Sequence, residues 1–455
     1  MVKKLLRLLQ TNLVLILICL LFLVNRLYKI SEIPSSVYWD EASIGYNAYS
    51  VLTTGKDEWG ETLPLHFRAF GEFKLPVYIY SVVVSEFIFG VNAFAVRFPS
   101  VVFGLLSIIG LYFLTLELTK KKSISLLGSF IFSITPWFFI FSRTGYEAVA
   151  GLAFFIWAIY FLLRSINEKK YLLLSTLLFI VSAYSYNSFR ILTSIVLGLG
   201  LMYSLYRKQF VIVLLSGLML ISSALPLYKL YKQDSGLSRL QAVGSSAVVS
   251  NYFKNFSPSY LFISGDTNPR SQVPDKSQLY IIDAVFLILG IIYIMRSNNS
   301  KLYYILGLLL LAPIPAAITK ENPHALRSIL MSPMLSIISA FGIYHISKLN
   351  KYLLWVIIGI YTAFFINYFY NFVTEYNSLS KSAWQYEYKE IFEKQKEGCV
   401  SDQFGQPYIF ALYYNKVDPN YFISTRVLNP VNDWGFSTVK SFGNYTFEKI
   451  CGKTN

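Results

Sequence analysis

The sequence predicts an all-α polytopic membrane protein that carries a small α/β domain at its C-terminal end. Three observations support this fold class. Of the 455 residues, 55% are hydrophobic and only 14% are charged, whereas soluble domains average about a quarter charged residues. Apolar stretches long enough to cross a bilayer recur along most of the chain. Beyond about residue 375 the composition becomes mixed and polar.

About eleven apolar stretches are long enough to span a bilayer as helices. Short basic connectors separate them in alternate loops, and the positive-inside rule places these connectors in the cytoplasm with the N-terminus. The first long loop (31–96) and the C-terminal end then lie on the extracytoplasmic side. The predicted spans are 12–30, 97–118, 123–141, 148–164, 171–187, 190–206, 210–227, 280–296, 301–318, 326–346 and 351–371. The basic connectors are 120–122, 164–170, 207–208, 296–301 and 348–351.

Residues 76–92 are also apolar, but we predict that they form an interfacial or re-entrant helix within external loop 31–96. Pro76 opens the stretch, Glu86 lies inside it and Gly90 is near its end. A crossing here would move every later basic connector to the extracytoplasmic side, against the charge bias. An amphipathic segment at the interface avoids that conflict.

Residues 375–455 are predicted to form a small extracytoplasmic α/β domain that follows a transmembrane domain over 1–374. An amphipathic helix is expected at 382–396, and the alternating runs at 408–414 and 422–427 are typical of strands. Cys399 and Cys451 both fall in this region. They would form a disulfide if the region is extracytoplasmic, and the sequence leaves the bonded and free states equally open.

The formal net charge of +15 is attributed to cytoplasmic loops and not to nucleic-acid binding. Loops on the cytoplasmic side of membrane proteins collect Lys and Arg. The same charge would attract the phosphates of membrane lipids. We therefore expect lipid partners and no nucleic acid.

Two adjacent carboxylates, Asp40 and Glu41, follow the first span at the membrane surface. Ionised groups at such a place are costly to keep without a function. The alternative is structural, because Asp40 would also be a good N-cap for a helix starting at Ala42. The same loop repeats the acidic pair as Asp57 and Glu58.

Several runs of this sequence resemble the GT-C membrane glycosyltransferases. These runs are Tyr38-Trp39-Asp40-Glu41, Gly55-Lys56-Asp57-Glu58-Trp59-Gly60, Lys74-Leu75-Pro76, and Phe89-Gly90 with Arg97-Phe98-Pro99-Ser100. The similarity covers roughly residues 10–350. It is closest to the branch that holds protein O-mannosyltransferases and lipid A aminoarabinose transferases. The resemblance implies a polyprenyl-phosphate sugar donor and an outward-facing active site, but it fixes neither the sugar nor the acceptor.

With such a donor, we expect a sugar to move from the lipid phosphate to an extracytoplasmic glycan, lipid or protein, and one-step displacement would invert the anomeric centre. Asp40 is the expected general base, with Glu41 beside it as a second catalytic carboxylate. Cations at the bilayer surface would stabilise the leaving phosphate. The expected phosphate-binding residues are Lys74, Arg143, Arg270 and Arg327, with Arg68 and Arg190 as weaker candidates. The expected substrate-binding residues are Tyr38, Asp57, Glu58, Glu147, Asp266 and His324.

Structural alternatives remain open for several of these residues. Lys74 would also suit an interfacial lysine whose stem lies along apolar surface. Arg143 and Glu147 have the spacing of an i,i+4 pair at a helix start. Asp266 lies in an Asp-Thr-Asn-Pro sequence that favours a turn, and a lone histidine such as His324 is more often structural than catalytic.

The expected protein is a multi-pass enzyme of the plasma membrane. A divalent metal stays open as a cofactor, because carboxylates and histidines are available but none has a diagnostic ligand spacing. The alternative function is a polytopic transporter or lipid-glycan flippase, which would place charged residues inside the spans. The predicted spans carry few charges, and this favours the enzyme.

Overall fold

The computed structural model describes residues 2–232, 244–431 and 437–451, with side chains from residue 12 onward. The chain is mostly helical from its N-terminus to residue 380. The helices of the first half are α1 (Val2–Leu27), α2 (Trp39–Thr54), α3 (Pro76–Phe89), α4 (Ala93–Thr119), α5 (Lys122–Ile134), α6 (Pro136–Phe141), α7 (Glu147–Ser165), α8 (Tyr171–Ala183), α9 (Asn187–Tyr206) and α10 (Phe210–Tyr231). A two-stranded antiparallel hairpin, β1 (Phe67–Arg68) and β2 (Phe73–Lys74), precedes α3.

The second half continues with helices and ends in a small sheet. Its helices up to residue 380 are α11 (Val248–Lys254), α12 (Pro258–Phe262), α13 (Asp283–Met295), α14 (Tyr303–Leu311) after a 3-10 turn, α15 (Ile314–Ala317), α16 (Met331–Ser347), α17 (Lys351–Thr374) and α18 (Tyr376–Ser380). The remaining elements are α19 (Tyr386–Lys394), β3 (Gly398–Ser401), α20 (Pro407–Tyr414), α21 (Pro419–Thr425), β4 (Val427–Leu428), β5 (Val439–Phe442) and β6 (Tyr445–Glu448).

The helical part has the character of a multi-pass membrane protein. Within the described residues, six helices are long and apolar enough to cross a membrane. They are α4, α7, α9, α10, the segment Ser300–Ala317 and α17. Each predicted span contains helix in the structure. Their outward faces keep large apolar side chains such as Val211 and Trp355 exposed, as expected for surfaces that face lipid.

Close helix packing depends on small residues where two backbones meet. At the crossing of α13 and α16, a methyl group on Gly290 would lie 2.0 Å from the carbonyl oxygen of Ile338. One on Gly342 would lie 2.2 Å from the carbonyl oxygen of Phe286. Any side chain at either glycine would therefore push the helices apart, a packing mode typical of membrane helix pairs.

The apolar stretch predicted at 76–92 forms helix α3 with one buried and one exposed face. Pro76 occupies the first turn, where a missing amide hydrogen has no cost. Tyr78 and Ile79 are buried, whereas Phe87 and Ile88 are exposed. The C-terminal end is closed by Gly90, whose φ of 72° suits glycine.

The sheet at the C-terminal end has the strand order β3-β6-β5-β4. Strand β3 pairs with β6 in parallel, and the other two pairings are antiparallel. A disulfide joins Cys399 in β3 to Cys451 just after β6, with a Cα–Cα distance of 5.6 Å. The bonded state that the sequence left open is therefore the one found.

Two segments predicted as strands are helices instead. The run 408–414 lies in α20 and most of 422–427 lies in α21. Both helices begin with a proline at the first position, and Asp418 caps α21 by accepting from the amide of Tyr421. Helix α20 is buried on nearly all sides, so its apolar pattern has no helical period to detect. The amphipathic helix predicted at 382–396 forms over the shorter range of α19.

The C-terminal region packs directly on the loop that carries Asp40. The amide of Trp39 donates to Oε1 of Gln385 over 2.9 Å. The hydroxyl of Tyr46 donates to the carbonyl of Val417 over 3.1 Å. Helices α2 and α20 meet at Gly45, where a methyl group would lie 2.5 Å from the ring of Tyr413. The sheet and the loop therefore lie on the same side of the helical body.

Candidate active site

A cavity of about 350 Å³ opens where the ends of several helices meet the β1–β2 hairpin. It lies between the start of α2, strand β2, the start of α7, the α8–α9 connection, the end of α10 and the segment 315–327. Its charged lining residues are Asp40, Glu72, Lys74, Glu147, Arg190 and Arg327. The cavity therefore brings three carboxylates and three cations from distant parts of the chain to one place.

Asp40 reaches this cavity from the first turn of α2. The helix begins at Trp39 and its N-cap position is Tyr38, so the alternative prediction that Asp40 is the N-cap is wrong. A carboxylate in the first turn of a helix is stabilised by the exposed backbone amides there. The Asp40 side chain is 26% exposed, which leaves it accessible from the cavity.

Lys74 is the closest charged partner of Asp40. Its Nζ lies 2.5 Å from Oδ1 of Asp40 and 3.6 Å from Oε1 of Glu72. Burial lowers the pKa of Lys74, but the carboxylates of Asp40, Glu147 and Glu72 together raise it well above its ordinary value. The ammonium group is therefore charged at neutral pH, although its side chain is only 3% exposed.

Glu41, predicted to be catalytic beside Asp40, points away from the cavity. Its carboxylate is fully buried and forms an ion pair with Arg97, at 2.9 Å between Oε2 and Nη2. It also accepts a 2.6 Å hydrogen bond from the amide of Gly145. A side chain on Gly145 would clash with Glu41. These contacts favour a structural role that fixes α2 against α4 and the start of α7.

Arg143, predicted to bind the donor phosphate, is also buried outside the cavity. Its guanidinium donates to the carbonyls of Asn25, Tyr28 and Ile33 at 2.9–3.1 Å. Arg97 donates in the same way to the carbonyls of Ile30 and Pro34, at 2.8 and 3.0 Å. Asn25 lies in the last turn of α1, and the other carbonyls belong to the irregular linker 28–37, which has no helix or strand to satisfy them. The two arginines therefore hold the linker that places Asp40.

Tyr38 and Arg270 form a layer beside the cavity. The Tyr38 ring lines the cavity and packs edge-on against Trp384 at a centroid distance of 5.1 Å. The Arg270 guanidinium lies over the Tyr38 ring at 4.9 Å. Burial alone would lower the pKa of Arg270, but the fields of Tyr146, Tyr38 and Asp40 raise it by more. The pKa therefore lies above its ordinary value, and the guanidinium stays charged. It adds positive potential behind Tyr38 without lining the cavity itself.

Two further arginines complete the positive side of the cavity. Arg190, a weaker candidate in the sequence, donates from Nη1 to the hydroxyl of Tyr231 over 3.1 Å. Arg327 donates from Nη1 to Oγ1 of Thr319 over 2.9 Å and lies 3.5 Å from Glu321. Each guanidinium has more N–H donors than these contacts use. Both groups line the same cavity as Lys74.

Four predicted substrate-binding residues lie outside the lining. Asp266 closes a turn by accepting from the amide of Asn268 and ties it to the next loop through the amide of Ala325, as the turn alternative predicted. His324 lies 3.7 Å from the carboxylate of Glu321. The other two are Asp57 and Glu58, both buried.

Glu58 belongs to the contact between the loop and the C-terminal region. Its Oε1 accepts from the indole of Trp59 over 3.0 Å and from the hydroxyl of Tyr408 over 3.4 Å. Arg426 donates to the Glu58 carbonyl over 2.8 Å and stacks on Trp59. These contacts favour a docking role for Glu58, whereas Asp57 closes the local turn by accepting from the amides of Trp59 and Glu61.

This contact is expected to weaken as the pH rises above the ordinary pKa of glutamate. Burial, followed by the charge of Asp57, raises the pKa of Glu58 to about 8. Its stabilising contribution is full below the ordinary value of 4.5 and is lost as the pH rises through about 8. We expect the apparent melting temperature in detergent to fall between about pH 5 and about pH 8, and Glu58→Gln to remove most of that fall. Parallel pH profiles for the two proteins would contradict this assignment.

Some residues of the site were not singled out in the sequence. Glu72 is two residues from Lys74, and in an extended strand such residues share a face, so this signal was available. Arg97 lies in a run quoted for the family resemblance, but the sequence assigned it no role, because its partner Glu41 is distant in sequence. Tyr231 and Thr319 become neighbours of the cavity only through the packing of α10 and α15.

No group of three His, Cys, Asp or Glu side chains in the described parts of the chain is arranged to hold a metal ion. The cavity carboxylate of Asp40 instead faces the ammonium of Lys74. The metal that the sequence left open is therefore a question for experiment.

Comparison with known proteins gives a family model over part of the chain and structural neighbours at low sequence identity. The family model described as dolichyl-phosphate-mannose-protein mannosyltransferase matches residues 74–232. No curated protein sequence matches the chain.

Solved structures share the fold at low sequence identity. ArnT from Cupriavidus metallidurans in the apo state is 11% identical, with 88% of this chain and 74% of ArnT covered and a TM-score of 0.55. The same protein bound to undecaprenyl phosphate is 10% identical, with coverages of 89% and 75% and a TM-score of 0.52. The oligosaccharyltransferase AglB from Archaeoglobus fulgidus, bound to an inhibitory peptide and a dolichol-phosphate, is 12% identical with a TM-score of 0.50.

The alignment with AglB covers 88% of this chain but only 63% of AglB. At these identities the likeness concerns the fold. The resemblance to the GT-C membrane glycosyltransferases, inferred from the motifs around Asp40 and Lys74, is confirmed at this level.

Proposed function

We propose that this chain, which has the fold of the GT-C membrane glycosyltransferases, transfers a sugar from a polyprenyl-phosphate carrier to an extracytoplasmic acceptor. The observation that carries the proposal is the half-buried ion pair between Asp40 and Lys74 at the wall of the cavity. It combines a potential base with a phosphate-binding cation in one site. Relatives of this fold support the donor class, because ArnT binds undecaprenyl phosphate and AglB a dolichol-phosphate.

The proposed topology has about eleven spans, with external loop 31–96 and the C-terminal region outside the cytoplasm. Five shorter apolar helices (12–27, α5, α8, α13 and α16) would cross in addition to the six long ones, with α3 at the interface. The alternating basic connectors support this orientation. The disulfide between Cys399 and Cys451 supports it independently, because disulfides persist in oxidising compartments. The protein is accordingly assigned to the plasma membrane, with its active site facing outward.

The proposed reaction is a single displacement at the anomeric carbon of the donor sugar. An acceptor hydroxyl gives its proton to Asp40 as its oxygen attacks that carbon. The bond from the carbon to the phosphate oxygen breaks, and polyprenyl phosphate leaves with the electron pair. Lys74, Arg190 and Arg327 stabilise the growing charge on that phosphate. One displacement inverts the anomeric configuration.

Lys74 also links donor binding to the basicity of Asp40. An aspartate paired with an ammonium group is a weak proton acceptor, because the cation favours its ionised form. A donor phosphate in the cavity competes for the same ammonium. Its arrival would draw Lys74 from Asp40 and leave the carboxylate free to accept a proton. In this scheme the base is activated only when the leaving group is in place.

Sugar transfer by the purified protein in lipid nanodiscs tests the proposed function. Radiolabelled polyprenyl-phosphate sugars are supplied one at a time, with a total envelope extract as acceptor. Transfer from one donor, with inverted configuration in the product, is the expected result. Well-folded protein that transfers no sugar from any donor in the panel would contradict the proposal and favour the transporter or flippase alternative.

Chelation tests the metal that the sequence left open. The ammonium of Lys74 already occupies the position beside Asp40 that a metal ion would take if Asp40 were its ligand. We expect EDTA to change the transfer rate by less than about twofold. A loss of activity that one divalent ion restores would instead place a metal at the cavity carboxylates.

A further inference from the structure

The C-terminal region reaches the β1–β2 hairpin through the indole of Trp59. This residue precedes the hairpin in the chain, and its Nε1 donates to the carbonyl of Arg68 in β1 over 3.1 Å. The Arg68 guanidinium lies over the Trp59 ring at 4.4 Å. The guanidinium of Arg426, which follows α21, lies over the same ring at 4.9 Å. One aromatic ring therefore joins the C-terminal region to the first strand of the hairpin through two cation–π contacts.

Two further contacts join the C-terminal region to the hairpin. The Nη2 of Arg68 donates to Oγ of Ser437 over 2.9 Å. Phe70, in the turn between β1 and β2, packs edge-on against Tyr408 of α20 at a centroid distance of 6.1 Å. Arg68, a weaker candidate for phosphate binding in the sequence, does not line the cavity. The hairpin is therefore held by the C-terminal region at β1 and at its turn.

This hairpin carries Lys74, the cation of the catalytic ion pair. In its register, Phe67 lies opposite Lys74 and Arg68 lies opposite Phe73. A ladder of only two residue pairs is marginally stable in water without further packing. The position of β2, and of the ammonium that it carries, therefore depends on what holds β1.

The carboxylate half of the ion pair is held from the same region. Asp40 lies in the first turn of α2, and the amide of the preceding Trp39 donates to Oε1 of Gln385 over 2.9 Å. The Trp39 ring packs against Phe70 of the hairpin at 5.8 Å. It also packs so closely on Gly405 that a methyl group there would lie 2.6 Å from the ring. The C-terminal region therefore contacts both elements that carry the ion pair.

We propose that the C-terminal region sets the distance between Asp40 and Lys74, with Trp59 and Gln385 as positioning residues of the active site. Trp59 holds the hairpin that carries the ammonium, and Gln385 holds the helix start that carries the carboxylate. Neither side chain lines the cavity, so both act through residues that do. The expected effect on rate rests on the proposed transferase function, whereas the geometry can be measured without any substrate.

The reactivity of Lys74 reports this geometry directly. Burial lowers the pKa of Lys74, but its carboxylate neighbours raise it above the ordinary value, and its side chain is only 3% exposed. Acetic anhydride acylates only the neutral amine, so Lys74 should react slowly at pH 9. Separation from Asp40 would weaken its hold on the proton, because a nearby opposite charge favours the charged form. A tenfold weaker hold makes acetylation about tenfold faster.

Two variants loosen the ion pair from opposite sides. Trp59→Leu removes the ring and the indole donor, and Trp59→Phe, which removes the donor alone, replaces it if the leucine variant does not fold. Gln385→Asn shortens the acceptor so that it no longer reaches the amide of Trp39. Asparagine tolerates the left-handed backbone of this position, where φ is 52°. Tyr445→Phe is the matched control, because it removes a hydroxyl whose two hydrogen bonds lie inside the C-terminal region.

Each protein is placed in nanodiscs, and the acetylation of individual lysines at pH 9 is followed by mass spectrometry beside the melting temperature. We expect Lys74 to react about tenfold faster in Trp59→Leu and about threefold faster in Gln385→Asn. The exposed Lys170 serves as an internal reference and should not change. In sugar transfer, kcat/KM should fall about tenfold in Trp59→Leu. Tyr445→Phe should match the wild type in both the Lys74 reaction and kcat/KM.

The labelling result separates this inference from the proposed function. Unchanged acetylation of Lys74 in the folded Trp59 and Gln385 variants would overturn the inference, whatever their transfer rates. Faster acetylation of Lys74 in Tyr445→Phe would also overturn it, because any weakening of the C-terminal region would then expose this lysine. Absence of sugar transfer by the wild type would instead contradict the proposed function and leave the labelling comparison valid.

Discussion

Asp40→Asn is expected to reduce sugar transfer by about 10²- to 10⁴-fold, the usual contribution of general base catalysis. The asparagine side chain keeps the size of aspartate but cannot take the proton of an acceptor hydroxyl. Its amide oxygen can still accept from Lys74, so the cavity should keep its shape. The measurement is the transfer rate at saturating donor, with the melting temperature as a check on folding.

Two other cavity carboxylates serve as matched controls for Asp40. Glu72 and Glu147 line the same cavity, and either could substitute as base if Asp40 were only a partner of Lys74. Glu72→Gln and Glu147→Gln should each cost less than Asp40→Asn. An Asp40→Asn protein with normal transfer, or a larger loss in Glu147→Gln, would remove Asp40 from the catalytic step.

Lys74→Met should lower kcat/KM by about 10²- to 10³-fold, because it removes the cation closest to the expected phosphate. Methionine fills a similar volume without charge. It also leaves the carboxylates of Asp40 and Glu72 without their counter-ion, and these would repel an anionic donor. Binding of undecaprenyl phosphate should weaken in parallel, by about tenfold or more.

Lys74→Arg keeps the charge and separates electrostatics from geometry. We expect it to recover donor binding but not the full rate, because a planar guanidinium cannot shift between carboxylate and phosphate as an ammonium can. Unchanged phosphate binding in Lys74→Met would show that the head group lies elsewhere. The cations of Arg190 and Arg327 would then be the next to replace.

The general architecture was accessible from sequence because it depends on composition and on local patterns. Apolar length predicts spans, and the family-like runs around Asp40 and Lys74 within the long loop 31–96 point to one site. Structure then brought both residues to the same cavity wall. The apolar segment 76–92 forms a helix over Pro76–Phe89, with proline at its start and Gly90 at its end, while its position relative to the membrane stays a prediction.

The directions of the buried charges could not be predicted. Glu41 and Arg143 were both expected at the active site, yet both turn inward. Arg143 and Arg97 donate to carbonyls of the irregular linker 28–37, and Glu41 pairs with Arg97; the sequence cannot match such backbone acceptors to distant arginines. Sequence reasoning can find a charge at the membrane surface, but long-range packing decides whether it faces substrate or backbone.

The C-terminal region shows a second limit of sequence patterns. Helix α20 is apolar on nearly every face because α2 and α19 enclose it, so its run of apolar and aromatic residues predicts a strand and not a helix. The prolines at positions 407 and 419 were the available signals, since proline is favoured at the first turn of a helix. Because nearly every residue of this helix is buried, its apolar residues show no helical period, and the pattern alone cannot distinguish the helix from a strand.

The most direct test of the catalytic cavity is the position of the donor phosphate. A structure of the protein in nanodiscs with undecaprenyl phosphate would provide it. We expect the phosphate inside the cavity, with an oxygen within about 3 Å of Lys74 Nζ and with Asp40 released from its ion pair. A head group bound outside this cavity, with the Asp40–Lys74 pair intact, would contradict the proposed site and mechanism.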